Sequence, residues 1–301
     1  MSVDIGHVFA VLLSVVGAKP LIRPWVGLGR SLPDWAVSSA TGCSKSIGYR
    51  GAHLSILASM SEFNHLCQPV GYPVVSWAGS RRPRSAPLEG RWCQVVPLDA
   101  NLHGADLYSA YALDLDDGRW TYLPYGPFAN LEEYRAWVDD VAHRDDPMFF
   151  AIINSSGKAV GVASYQHIEP LNGSIEVGHI SFSTLLQATT AATEAMYLMM
   201  RNAFEELGYR RYEWKCDSLN KPSRLAAERL GFSYEGTFRQ MRVVKGRNRD
   251  TAWYSITDRD WSLLKPVFEQ WLAASNFDAG GRQRLALSGL TKAALTSSPT
   301  N

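Results

Sequence analysis

From Arg91 onward apolar and polar positions follow two different periods, and each change of period marks an element. Arg91 to Pro97 alternates like a strand, and Asn101 to Ala110 reads as a helix. Leu131, Tyr134, Trp137, Val138 and Val141 recur at helical spacing within Leu131 to His143, which gives that helix one apolar face. Two apolar runs follow, Met148 to Ile153 and Ala159 to Tyr165, split by Asn154-Ser-Ser-Gly157. Asn172-Gly173 then turns the chain into Ile175 to Phe182. Turns of this composition join antiparallel neighbours, so three consecutive antiparallel strands are expected. After Thr190 a helix carries Met196, Met199, Met200, Ala203 and Leu207 on one side, with Gly208 placed as its stop. Tyr212 to Asp217 is the next strand, and Pro222 to Leu230 is a short helix closed by Gly231. Phe238 to Val244 and Thr251 to Ile256 form a hairpin around Lys245-Gly-Arg-Asn248. The last helix, Asp258 to Leu272, aligns Trp261, Leu264, Phe268 and Trp271, and Pro266 is expected to kink or reset it.

The flanks lack such periods. Residues 1–59 hold scattered Gly, Ser and isolated Trp with few acids, and are expected to be a poorly ordered extension of unassigned role. They are Ser-rich and acid-poor like a mitochondrial presequence but lack its Arg-rich amphipathic helix, so a functional start at Met60 is preferred to a cleaved leader. Residues 60–90, with Pro69, Pro73, Pro83, Pro87 and the basic Arg81-Arg82-Pro-Arg84, are expected to run as an extended arm along the surface of a domain spanning 91–272. Residues 273–301, rich in Gly, Ser and Thr, read as a flexible tail.

Composition narrows the function classes. At 46% hydrophobic and 20% charged the chain can bury a sizeable core. Its 30 basic and 29 acidic residues leave a net charge of +1, without the clustered basic face that nucleic acid requires. The apolar run Val8 to Val16 falls short of the roughly 20 residues of a membrane span. A soluble cytoplasmic protein is therefore expected, or a mitochondrial one if residues 1–59 are a presequence. Cys43, Cys67, Cys93 and Cys216 form no CxxC pair, and no His pair has metal spacing, so neither a metal site nor a disulfide framework is expected.

The candidate chemistry lies between Ile175 and Tyr234. There a small-residue loop, Gln187 to Thr193, opens a helix beside two strand ends, which suits a phosphate-bearing ligand. A plain small-residue helix start packed under the sheet is the alternative for the loop alone.

The strand Ile175-Glu-Val-Gly-His-Ile-Ser-Phe182, the Gln187 to Ala192 loop and the helix Asn220-Lys-Pro-Ser-Arg-Leu-Ala-Ala-Glu-Arg-Leu-Gly-Phe232 together resemble the GNAT superfamily of acetyltransferases. The likeness runs from about Pro87 to Leu272 and is greatest to the ribosomal-protein N-terminal acetyltransferase branch. It implies an α+β fold with a twisted, mostly antiparallel mixed sheet flanked by helices. It also implies acetyl transfer from acetyl-CoA to a primary amine, on a small molecule or a protein N-terminus, by direct attack. Gln187, Ala188, Thr189, Thr190, Ala191, Ala192 and Thr193 match the family's pyrophosphate loop. Thr190 stands where the family has a central Gly, so it needs negative φ, and its hydroxyl is a candidate helix cap.

The resemblance also implies that the strands Ile175 to Phe182 and Tyr212 to Asp217 splay apart. The pantetheine arm would lie between them, held by backbone N–H groups of Ile180, Ser181 and Phe182 that also serve the thioester oxygen. Asn220 would hold pantetheine amides and Ser223 would donate to the departing thiolate; joint capping of their helix is the alternative role. Glu176 is the candidate base, improved if burial raises its pKa; a paired strand carboxylate is the alternative. His179 ranks below it as a structural side chain, and Cys216 is not expected to be a nucleophile. Tyr122, Tyr125 and Phe128, in the aromatic stretch Trp120 to Phe128, are expected to wall the acceptor cleft, with a hydrophobic plug at the sheet end as the alternative. On the same fold, a non-catalytic acyl-CoA-binding or partner-binding protein is the rival function.

Overall fold

Tight turns at Ser155–Gly157 and Asn172–Gly173 fold the chain back on itself as the sequence demands, and the sheet grows outward from them. The computed structural model describes residues 61–296; the expectations for residues 1–59 lie outside the described residues. A small hairpin of β1 (Ser61–Phe63) and β2 (Pro69–Gly71) precedes the main sheet. That sheet contains β3 (Leu88–Glu89), β4 (Cys93–Pro97), β5 (Met148–Asn154), β6 (Ala159–Glu169), β7 (Ser174–Phe182), β8 (Arg211–Asp217), β9 (Ser233–Val244) and β10 (Arg247–Thr257). Its eight strands lie in the order β3-β4-β5-β6-β7-β8-β10-β9. Every neighbouring pair is antiparallel except β7 with β8, which run parallel because a helix connects them.

Among the described residues six α-helices accompany the sheet: α1 (Ala100–Tyr111), α2 (Leu131–Ala142), α3 (Thr190–Arg201), α4 (Lys221–Arg229), α5 (Asp258–Leu272) and α6 (Leu287–Thr296). Asp99, Asn130, Thr189, Asn220 and Thr257 each turn a side-chain oxygen onto a free N–H of the helix that follows, satisfying donors the first turn cannot pair internally. Alternate residues of β5 face opposite ways. Phe150 and Ile152 join a core with α3, α5 and α6, whereas Phe149 and Ala151 join one with α1 and α2. Helices therefore cover both faces of the sheet.

Pro266 lies inside α5 without resetting it, and the helix continues to Leu272 with Trp261, Leu264, Phe268 and Trp271 buried. One expectation changes. The segment after Ala273 is not a free tail as far as Thr296: α6 buries Leu287 and Thr291, and Asn276 is buried with its amide on the Trp271 carbonyl. Its Gly and Ser content hid a few apolar anchors that find a groove on α4 and α5. The proline-rich arm runs along the domain, with Trp77 donating to the Leu171 carbonyl (2.8 Å) and the Arg81 amide donating to Leu207.

A buried carboxylate ties the two halves together. Glu194 on α3 accepts the backbone N–H groups of Arg91 (2.8 Å), Trp92 (2.6 Å) and Cys93 (2.9 Å), fixing the start of β4 against the helix. No local pattern in the sequence announces this contact.

Candidate active site

Strands β7 and β8 pair only from Ser174↔Arg211 to Val177↔Trp214. Beyond that point they diverge, and a second irregularity contributes. Between Ser164↔Gly178 and Val162↔Ser181, β7 spends an extra residue against β6, a bulge in which His179 takes φ +50°. The β8-facing edge of β7 from Gly178 to Phe182 is thus left without a strand partner, and a crevice opens through the sheet. Its two mouths are cavities of about 1040 Å³ and about 370 Å³ that share Arg119, Tyr122, Ile180, Trp214, Asn220 and Ser223.

The larger cavity lies at the start of α3. Ile180, Ser181, Phe182, Gln187, Ala188, Thr189, Thr190, Ala192 and Thr193 all line it, so most of the expected cofactor residues are gathered there. Ala191 does not line it; it packs against the core, and its carbonyl accepts the Cys93 thiol. The cap is Thr189 rather than Thr190: its Oγ1 accepts the Ala192 N–H (3.2 Å), and Thr190 is the first helical residue. The left-handed conformation in this loop falls on Ala188 (φ +57°). Gln187 closes the loop by donating to the Phe182 carbonyl (2.8 Å).

One cation here was not foreseen. Arg229, from the end of α4, donates to Thr193 Oγ1 (3.1 Å), lies over the Trp271 ring and makes no ion pair among the described residues. Burial lowers its pKa. A guanidinium without a counter-ion beside a helix N-terminus offers a phosphate both direct donors and positive potential. Phe277, Gly281, Arg282 and Gln283 extend the same wall, so the segment after α5 contributes to this cavity.

At the narrow middle of the crevice Asn220 Oδ1 accepts the Ser223 N–H (3.1 Å), capping α4. The Trp214 indole N–H donates to Ser223 Oγ (3.0 Å). That bond uses one acceptor position of the hydroxyl and fixes its direction. Capping and placement in the crevice therefore coexist for both residues.

The smaller cavity contains the titratable groups. Glu176 is buried, and its carboxylate accepts from Gln166 Nε2 (2.6 Å), His167 Nδ1 (2.7 Å) and Lys215 Nζ (2.9 Å). Gly178 makes room for this arrangement, since a Cβ there would collide with the Gln166 amide. Burial by itself would raise the Glu176 pKa, but the His167 hydrogen bond and the Lys215 charge outweigh it and hold the carboxyl below its ordinary value. The paired-carboxylate alternative thus describes Glu176, and the rise in pKa that would improve it as a base is absent, because the partners that surround it come from β6 and β8 and were invisible along the strand.

The same bond raises the pKa of half-exposed His167, against the opposing effects of burial and the neighbouring Lys215 and Arg242 charges. His179 goes the other way. Burial brings it down to about 4, with its ring stacked on Tyr125 and Nδ1 3.3 Å from the Tyr125 hydroxyl. Sequence reasoning missed His167, which sits at a positive φ (+46°) in an irregular stretch of β6, and Lys215, which also pairs with Glu213 (2.7 Å).

The aromatic stretch divides. Tyr122 lines both cavities, and its hydroxyl donates to the Leu219 carbonyl (3.3 Å). Tyr125 and Phe128 line neither cavity. They pack with Trp120, Tyr134 and Trp137 in the core beneath α1 and α2, which is the plug at the sheet end. Their apolar area is better buried there than left on a wet wall. From the tip of the β9–β10 hairpin, Lys245 donates to the carbonyls of Trp120 (2.8 Å), Tyr125 (3.0 Å) and Gly126 (2.7 Å), which anchors this stretch over the smaller cavity.

A parallel strand pair that parts at mid-sheet, with a capped helix N-terminus and an uncompensated arginine at one mouth and titratable side chains at the other, suits a nucleotide thioester and transfer of its acyl group. Comparison with known proteins agrees. Residues 100–233 match the acetyltransferase (GNAT) domain model. A GCN5-related N-acetyltransferase from Brucella melitensis is 44% identical and superimposes with a TM-score of 0.71 over 72% of this chain and 99% of its own. A probable acetyltransferase of the GNAT family from Chromobacterium violaceum is 40% identical, with a TM-score of 0.60 over 65% of this chain and 98% of its own. The Bacillus subtilis protein provisionally named a ribosomal N-acetyltransferase, YdaF, is 26% identical over 48% of this chain and 79% of its own, in line with the branch likeness read from the sequence. The chain belongs to the GCN5-related N-acetyltransferase (GNAT) family and is an acetyl-CoA-dependent acyltransferase. Among the described residues no helix is long and apolar enough to cross a membrane, and no cluster of three or more His, Cys, Asp or Glu could hold a metal ion.

Proposed function

We propose that acetyl-CoA enters by the larger cavity, that a primary amine enters by the smaller one, and that the amine attacks the thioester directly within the crevice. The observation that carries this reading is the end of β7–β8 pairing at Val177↔Trp214, which leaves backbone groups free at the junction of the two cavities. The pyrophosphate lies against the α3 N-terminus and Arg229, and the pantetheine adds to the open edge of β7. Backbone N–H groups at Ile180 to Phe182 hold the thioester oxygen as it gains charge.

An amine is protonated near neutral pH and must shed a proton to attack. Glu176 is too firmly held as a carboxylate to serve alone as that base. His167 is the better acceptor, with Glu176 fixing its tautomer and stabilising the imidazolium. The ammonium first gives a proton to His167, which passes it to solvent; the neutral nitrogen then bonds to the carbonyl carbon, gives its next proton to His167, and the carbon–sulfur bond breaks. Ser223 gives its hydroxyl proton to the departing thiolate and is reprotonated from the His167 imidazolium through water, leaving an amide and free CoA.

The acceptor is a small-molecule amine or a protein N-terminus. The test is release of CoA from acetyl-CoA with a panel of amines and N-terminal peptides, alongside calorimetric binding of acetyl-CoA. Acceptor-dependent release supports catalysis. Tight binding with no release from any acceptor refutes it in favour of an acyl-CoA-binding protein on this fold.

A further inference from the structure

Alternate residues of β10 line the smaller cavity, and three of their donors lack a partner. Arg249 Nε, Thr251 Oγ1 and Trp253 Nε1 are buried without a hydrogen-bond acceptor among the described residues, and all three residues line the cavity. Their spacing of two puts them on one face of the strand. Directly across the hairpin, Arg242 pairs in register with Arg249 and lines the same cavity. Its recorded contact is a long one, 3.5 Å from Nη2 to His167 Nε2.

Neither arginine makes an ion pair among the described residues, although carboxylates are near. Glu176 is taken by Gln166, His167 and Lys215, and Glu213 by Arg211 and Lys215. Asp217 accepts the Leu219 amide (2.9 Å). Two like charges facing each other across a strand pair repel, and a buried donor left unpaired is costly. Both costs are relieved together by an anionic oxygen group placed between Arg242, Arg249, Thr251 and Trp253.

We infer that the acceptor amine carries a carboxylate, and that these four side chains hold it while the amine reaches toward Ser223 and Ile180, which line the same cavity. The inference rests on the acyl-transfer reading and adds to it a substrate class. Arginine suits the task because its planar fork matches a carboxylate two bonds at a time. The carboxylate belongs either to a free amino acid or to an acidic side chain close to a peptide N-terminus.

The experiment compares matched acceptors in the full chain: an amino acid against its amide, and Asp-initiated against Asn-initiated peptides. With wild type, kcat/KM for the acid member of at least one pair is expected to exceed its amide by about ten- to a hundredfold, the size of a charge-assisted hydrogen bond or two. The pair that shows the preference identifies the source. In Arg249→Gln and Arg242→Gln the ratio falls toward one, and Thr251→Val reduces it less, all with unchanged affinity for acetyl-CoA. Equal use of acid and amide by wild type in both pairs, or a preference that survives both arginine substitutions, overturns the inference while leaving acyl transfer intact.

Binding supplies a second readout that does not need turnover. Titrating CoA-saturated protein with the same compounds and following tryptophan emission reports on Trp214 and Trp253, which line the cavity. A response selective for the carboxylates and lost in Arg249→Gln supports the site, and no selective response overturns it. Failure of acetyl-CoA itself to bind would sink the acyl-transfer reading instead.

Discussion

Replacing Glu176 by Gln removes the charge on which three donors converge. In the folded protein its two oxygens serve Gln166, His167 and Lys215 at 2.6, 2.7 and 2.9 Å. A glutamine keeps one acceptor and turns an NH2 group toward the others, so at least one buried donor loses its partner. Removing one side of a buried pair costs about 3–5 kcal/mol. Lys215 retains Glu213 at 2.7 Å, which moves the expectation down to about 2–3 kcal/mol. At about 2–4 °C per kcal/mol for a domain of this size, Tm should fall by about 5–10 °C.

The effect on catalysis is read from pH. His167 is raised above its ordinary 6.5 chiefly by the Glu176 hydrogen bond, and as a base it must be unprotonated, so the wild-type rate should rise with pH through a limb above 6.5. In Glu176→Gln the limb moves to lower pH, and the plateau kcat falls about tenfold, part of what a positioned base supplies. Affinity for acetyl-CoA is unchanged.

Stability carries a matching sign. The His167 contribution is full below 6.5 and fades as pH rises through its raised folded value. The Glu176 contribution is full above 4.5 and fades as pH falls through its lowered one. The stability gap between wild type and Glu176→Gln should therefore be widest between 4.5 and 6.5. A pH–rate profile and thermal melts from pH 4 to 9 test all of this; an unmoved limb with an intact plateau refutes the His167–Glu176 couple.

Arg229→Met should weaken acetyl-CoA binding about tenfold, since it removes the uncompensated cation beside the α3 N-terminus; calorimetry giving an unchanged dissociation constant places the phosphates elsewhere. Glu194→Ala strips acceptors from three backbone N–H groups and should cost about 3–5 kcal/mol by chemical denaturation, whereas a loss below about 1 kcal/mol means that water replaces the carboxylate without penalty. Lys245→Met releases the carbonyls of Trp120, Tyr125 and Gly126. About 1–2 kcal/mol of stability and faster proteolysis within 120–128 are expected, and an unchanged cleavage pattern excludes the anchoring role.

Local signals sufficed for most elements. The hairpin turns, the capped helix starts and the apolar faces of α2, α3 and α5 depend on neighbours a few residues away, and each lies where its pattern put it. The loop before α3 and the Asn220–Ser223 cap were legible for the same reason, as was the family they belong to. What the sequence could not supply was the company each charged side chain keeps. Glu176 reads as a base or a paired carboxylate until β6 brings His167 and β8 brings Lys215 beside it, and those long-range pairings lower its pKa where burial alone would raise it. Tyr125 and Phe128 read as a cleft wall until α2 offered them a dry place to pack. Arg229, Arg242 and Arg249 carried no signal in the sequence, and only the fold sets them on cavity walls without ion pairs among the described residues. Periodicity is written in one dimension, but electrostatics depends on distances that only the closed sheet sets.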